Sequence, residues 1–235
     1  MTSSFSDQRR AEIYQSHRDR SATEFKNKHL RQYDREFARL TGASPSMSVL
    51  EIGCGSGLFL RYLEARGYRE IVGVDMDKQL TEALGDLQHS EIHLDDIGKI
   101  LSDELAGRRF DRIVLLDLAE HLQLDVLVDL LKALGNHINE GGAMLLRVPN
   151  IESPWGLKMH FGTFDHVTPL TPGRMFELGV MSGWDCTGVH PQPPGRLWRR
   201  AKERLLASLL ASLLSYRPDI WTANLLAVYA PRSEV

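Results

Sequence analysis

The chain is poor in cysteine, in long apolar runs and in charge of one sign, and each shortage closes off a class of protein. Cys54 and Cys186 are the only cysteines in 235 residues. Two thiols are too few for a Cys-rich zinc cluster or a disulfide framework, which points to a reducing compartment. The longest apolar-looking run, Leu205 to Leu214, is broken by alanine and serine. It falls well short of the roughly 20 residues a membrane-spanning helix needs. Residues Met1 to Arg10 are polar and lack the apolar heart of a signal peptide. A cytoplasmic location is therefore expected. A formal net charge of -3 creates no demand for a nucleic-acid partner.

What is present is enough hydrophobic residue, 43%, to build one sizeable core, and a repeating order of segments. Residues 7–40 have a helical pattern, with Leu30, Tyr33, Phe37 and Leu40 at spacings of three and four. Short apolar strands are expected at 48–52, 71–75, 91–94, 112–116 and 143–148, with helices between them at 58–66, 78–87 and 124–137. Thr171-Pro172, a cap followed by a first-turn proline, opens a further helix to about Ser182. A strand at 184–190, a helix at 196–215 and a strand at 224–230 complete the chain. Apolar strands alternating with helices predict a doubly wound α/β fold. The expected architecture is one domain, with a mostly parallel seven-stranded sheet, helices on both faces and an antiparallel closing strand. Within it, 1–44 is a helical extension, 45–150 a ligand-binding core, and 151–235 a substrate loop with the closing unit.

The segment with the most chemical content is Val49-Leu50-Glu51-Ile52-Gly53-Cys54-Gly55-Ser56-Gly57. A buried strand running into alternate glycines and then a helix lets backbone approach a ligand where side chains would block it. Leu58 stands where a dinucleotide fingerprint needs its third glycine, and no Walker lysine follows. Asp75 ends the second strand, 18 residues beyond Gly57, where a carboxylate accepts from ribose hydroxyls. Asp95-Asp96-Ile97 follows the third strand and offers an acceptor for an adenine amino group with an apolar cover. Taken alone, each part has a plain structural explanation as a turn or a helix cap. Their order and register together point to a nucleoside-bearing cofactor.

These residues resemble the Rossmann-like methyltransferases that use S-adenosylmethionine, over about residues 45–150, on VLEIGCGSGLFL, GVDMD, HLDDI and FDRIVLLDLAEHL. The resemblance implies that Glu51, Gly53, Gly55 and Gly57 form the methionine end of the cofactor site. It implies that Asp75 holds the ribose, Met76 lies against adenine, and Asp96 with Ile97 holds the adenine edge. Asp117 and Leu118, after the fourth strand, would lie near the amino group and sulfonium.

The acceptor is expected to meet Asp117 to Leu122 and the long stretch PNIESPWGLKMHFGTFDHVTPLTP, because ligands sit beyond the carboxyl ends of the strands. That stretch, 149–172, is expected to be a functional loop, being long and aromatic. A hydroxyl acceptor must lose its proton, which makes His121, His160 and His166 candidates, each with a helix-capping or stacking alternative. His166 beside Asp165 is the favoured base. The stretch resembles that of methyltransferases encoded with bacterial surface-polysaccharide pathways, roughly R-V-P-N-x-x-S-P…F-G-D-F-T-H-E…F-T-P. Arg147 to Asn150, Ser153-Pro154, Phe161-Gly162, Phe164, His166 and Thr171-Pro172 match. Thr163, Asp165 and Val167 depart from it. The resemblance implies O-methylation of a sugar or sugar-linked group, with Asn150, Trp155, His160 and Phe164 at the substrate. Methylation of an aromatic or quinone-type metabolite and a non-catalytic cofactor-binding scaffold are the alternatives. No metal is expected, since the loop shows no close carboxylate cluster. The leucine stripe of 196–215, preceded by Arg196, Arg199, Arg200, Lys202 and Arg204, fits packing on a sheet or homodimerisation. It also fits peripheral contact with an anionic membrane.

Overall fold

The strands form one seven-stranded sheet in the spatial order β3-β2-β1-β4-β5-β7-β6. The computed structural model describes residues 24–192 and 197–232. The first part of the helix expected over 7–40, and Arg196, lie outside the described residues. The strands are β1 (Val49–Ile52), β2 (Ile71–Asp75), β3 (Ser90–Leu94), β4 (Phe110–Leu116), β5 (Ile138–Pro149), β6 (Trp184–Pro191) and β7 (Asn224–Pro231). Pairings among β1 to β5 are parallel, whereas β7 runs antiparallel to both β5 and β6. The doubly wound sheet with an antiparallel closing strand is thus the observed architecture.

Alternate residues of the buried strands serve two separate cores. Leu50, Ile52, Ile113, Leu115, Leu146 and Val148 face one side, against α5 (Leu124–Leu134) and α7 (Pro172–Ser182). Val49, Val114 and Leu145 face the other, against α1 (Asn27–Tyr33), α2 (Leu58–Ala65) and α3 (Thr81–Leu84). Strands buried on both faces are mostly apolar, and in β1 and β4 the charged exceptions are Glu51, Asp111 and Arg112.

Several elements differ from expectation. The helix expected over 78–87 ends at Leu84, ahead of Gly85. A short helix α4 (Ile97–Lys99) leads into a wider π-type turn, Ile100–Glu104. Residues Pro154–His160, expected as loop, form the helix α6, with the Ser153 hydroxyl accepting from Trp155 N–H at its start. The helix α8 (Leu197–Leu213) is present, yet Leu205, Leu206, Leu209, Leu213 and Leu214 are exposed rather than packed on the sheet. Among the described residues no helix is long and apolar enough to cross a membrane.

Chain order runs outward from β1 to β3, then returns to β4 on the other side of β1. The loops after β1 and β4 therefore diverge, and a crevice opens at this switch point.

Candidate active site

The glycine loop between β1 and α2 is clasped by the end of β2. Gly53 and Cys54 N–H both donate to Val74 C=O, at 2.8 and 3.0 Å, and Gly55 N–H donates to Asp75 Oδ2 at 2.8 Å. Gly53, Gly55 and Gly57 all take positive φ, at 75, 50 and 74°. A Cβ on Gly53 would press on the Leu118 side chain at 3.1 Å, whereas one on Gly55 would enter open space. The three glycines thus hold the chain in a left-handed path that leaves a hollow above Gly55. The structure brings Leu118 from the end of β4 against this loop.

Asp75 is buried at the floor of the loop and also accepts from Asp77 N–H at 3.0 Å. Burial pushes its carboxyl above the usual aspartate range, and the backbone N–H groups pull it part of the way back. Met76, next in sequence, is 69% exposed at the crevice. Asp96 caps α4 by accepting from Lys99 N–H at 3.0 Å, and the Ile97 beside it packs partly on the core. Glu51 is fully inside β1. Its Oε2 has no hydrogen-bond partner among the described residues, and burial raises its pKa well above the glutamate norm.

Across the switch point, Asp117 is the only non-glycine residue at positive φ among the described residues, at 55°. Aspartate tolerates that conformation better than most side chains. Arg147, at the end of β5, holds it with two parallel bonds, Nε to Oδ1 at 2.9 Å and Nη2 to Oδ2 at 2.6 Å. The third guanidinium nitrogen donates to Glu36 Oε2 at 3.0 Å. Glu36 sits in a π-type turn, Asp34–Ala38, that interrupts the amino-terminal helix. Neither Glu36 nor Arg147 was singled out from sequence as a site residue. The available signal was an ionic residue at an otherwise apolar position on each element.

Beyond Asp117 lies a histidine cluster. The rings of His121 and His166 meet edge to face with centroids 4.6 Å apart, and His160 lies 5.7 Å from His166. Asp165 Oδ2 is 3.4 Å from His121 Nδ1, and its other oxygen accepts from the Thr163 hydroxyl. Val167 and Thr168 N–H donate to Glu120 C=O, at 2.8 and 3.1 Å, which ties this loop to the end of β4. Burial, with His121 as neighbour, lowers His166 to about 4. His160 is lowered by burial alone. The structure therefore joins His121, His160, Asp165 and His166, which the sequence separates by up to 45 positions. It adds the buried side chain of Glu120, which is not among the site residues expected from the sequence.

The other expected substrate residues divide. Trp155 is partly exposed, and Phe164 is 92% exposed at the rim. Asn150 differs: it is fully buried, and its side chain is spent on Ile220 C=O at 2.7 Å, Thr222 C=O at 3.3 Å and Glu152 N–H at 3.2 Å. It ties the β5 end to the segment before β7.

Residues 14–203 match the family model described as "Methyltransferase domain". The chain belongs to this methyltransferase family. It is 31% identical over 113 residues to a protein named ribosomal protein L11 methyltransferase from Lactobacillus johnsonii. That stretch is 45% of this chain but only 34% of the relative, so the chain matches about a third of that protein's length. Among solved structures it resembles a SAM dependent methyltransferase from Archaeoglobus fulgidus, with a TM-score of 0.65 and 19% identity over 86% of this chain and 90% of that one. It also resembles a DhpI–SAH complex, with a TM-score of 0.55 and 16% identity over 88% and 94% of the two chains. These two likenesses support the fold.

Proposed function

We propose that this methyltransferase, whose methyl donor is S-adenosylmethionine, methylates a hydroxyl of a sugar or sugar-linked group. Three features of the crevice fit the donor. The hollow above Gly55 would be filled by any side chain, Asp75 is a buried acceptor suited to ribose hydroxyls, and Glu51 Oε2 is a buried oxygen that lacks a donor among the described residues. In this reading Gly53, Gly55, Gly57 and Glu51 hold the methionine part, with Asp117 and Leu118 close by. Asp75 holds the ribose, and Met76, Asp96 and Ile97 hold the adenine. When bound, the donor supplies an electrophilic methyl group on sulfur. The rest of the chemistry falls to the protein, which must align the acceptor oxygen and remove its proton.

The histidine cluster is placed for that second task. His166 is neutral at pH 7, and its Nδ1 has no hydrogen-bond partner among the described residues, so it can accept a proton. Asp165 faces His121 and stabilises positive charge arising in the cluster. The observation that favours a polyhydroxyl acceptor is the buried polar set of Glu120, His160 and Asp165, with the aromatic side chains of Trp155, Phe161 and Phe164 exposed on the segment that carries His160 and Asp165. Such aromatic side chains suit the C–H faces of a sugar ring, while a quinone-type acceptor would call for an apolar set in place of the polar one. Incubation with methyl-labelled donor and a cell extract fractionated into glycans, lipids and small metabolites tests this reading. Label is expected in the glycan or glycolipid fraction, as a base-stable ether. Label confined to aromatic metabolites, or to protein, would contradict it.

A further inference from the structure

The reading above uses one histidine of the cluster and leaves its buried carboxylate without a task. Glu120 is 2% exposed, and its Oε2 finds no hydrogen-bond partner among the described residues. A buried carboxylate oxygen without a donor is costly, so it marks a place where a donor or a cation can be seated. One ligand atom each from Glu120, His121 and His166 lies within 4.8 Å of the others.

We propose that Glu120, His121 and His166 hold one divalent transition-metal cation, with open coordination positions for the acceptor's hydroxyl oxygen. The proposal rests on the transferase reading and deepens it, because it names how the site grips its acceptor. Three protein ligands with an open position are the pattern of catalytic rather than structural metal centres. Two imidazoles with one carboxylate suit zinc, manganese, iron or cobalt, while magnesium and calcium prefer all-oxygen sets. Bonds of about 2.1 Å place ligand atoms about 3.4 Å apart in a tetrahedral site, so loading from separations within 4.8 Å requires a contraction of up to about 1.4 Å. Side-chain rotation supplies that.

Two further features support the assignment. Asp165 Oδ2 lies 3.4 Å from His121 Nδ1, a carboxylate beside an imidazole, the arrangement that orients such metal ligands. The backbone bonds from Val167 and Thr168 to Glu120 fix the two ligand-bearing segments side by side before any ion arrives. With the cation in place, His166 would be a ligand; the cation would acidify the bound hydroxyl, whose proton would leave to solvent as the methyl group arrives.

Titration of the chelator-treated full chain with Co²⁺, followed by visible ligand-field absorption, tests the proposal without any acceptor. One equivalent of Co²⁺ should bind, and Zn²⁺ should displace it. Glu120→Gln and His121→Asn should each remove saturable binding, and Asp165→Asn should weaken it about 10–100-fold. The surface change His93→Gln should leave it unaltered. Binding of S-adenosylhomocysteine by the same samples checks that each variant folds and reads the transferase assignment separately. Absence of saturable Co²⁺ binding in protein that binds S-adenosylhomocysteine would overturn the metal site and leave the transferase reading standing. Unchanged Co²⁺ affinity in both Glu120→Gln and His121→Asn would also overturn it.

Discussion

At the residue scale, the geometry of the glycine loop was legible in the sequence and the grouping of the histidines was not. Gly53, Gly55, Gly57 and Asp75 announce themselves because their roles depend on local backbone, a turn with positive φ at the end of an apolar strand. His121 and His166 were visible only as separate candidates. What joins them to Glu120 is the fold of the 161–168 loop onto the end of β4, a nonlocal event that no spacing records. Asn150 shows another nonlocal event, since its side chain is buried and bonds the segment before β7. The expected weight of His166 can be measured. A positioned proton acceptor contributes about 10²–10⁴-fold, so His166→Ala should lower turnover by that factor with cofactor affinity nearly unchanged. His166→Asn should be about as impaired, because an amide can donate and accept hydrogen bonds but cannot take up the proton. Full activity of the Asn variant would show that His166 only orients the acceptor.

At the scale of elements, the structure explains why the helix Pro154–His160 was not foreseen. Its start signals were present, Ser153 as cap and Pro154 in the first turn, but its Trp155, Leu157 and Met159 are partly exposed. Helix reading relies on an apolar face turned to a core, and this helix turns much of its apolar surface to solvent at the rim of the crevice. The amino-terminal helix shows a related limit: its apolar stripe was evident, while the π-type turn that aims Glu36 inward was not. Through that turn, α1, β4 and β5 meet on Arg147, which bonds Glu36 and Asp117 at once. Arg147→Met should therefore leave Glu36 as a buried, largely uncompensated charge. A loss of about 3–5 kcal/mol in stability is expected by urea unfolding. A loss below about 1 kcal/mol, the usual worth of an exposed ion pair, would show that this network does not fasten the elements together.

At the scale of the whole molecule, β1 and β4 are buried on both faces, which makes any ionisable group inside them a stability element as well as a site residue. Glu51 is the clearest case. Its folded-state pKa is raised, so the folded chain holds that proton more tightly than the unfolded chain does. Its effect on stability therefore turns unfavourable as pH climbs above the ordinary glutamate value of about 4.3 toward the raised one. Glu51→Gln should have a melting temperature that gains on the wild type between pH 4 and pH 8. A difference independent of pH would show that Glu51 ionises freely in the folded chain. Doubly wound topology was readable from the alternation of strands and helices, whereas the order β3-β2-β1-β4-β5-β7-β6 came only from the structure. That order places the glycine loop and the Asp117 loop on either side of one crevice. The account depends most on the claim that S-adenosylmethionine binds there, and calorimetric titration with S-adenosylhomocysteine tests it most directly. The wild type should bind one equivalent per chain, Asp75→Ala should bind about 2–4 kcal/mol more weakly, and Gly55→Val should remain folded and not bind. Binding that survives both substitutions unchanged, or no binding by the wild type, would contradict it.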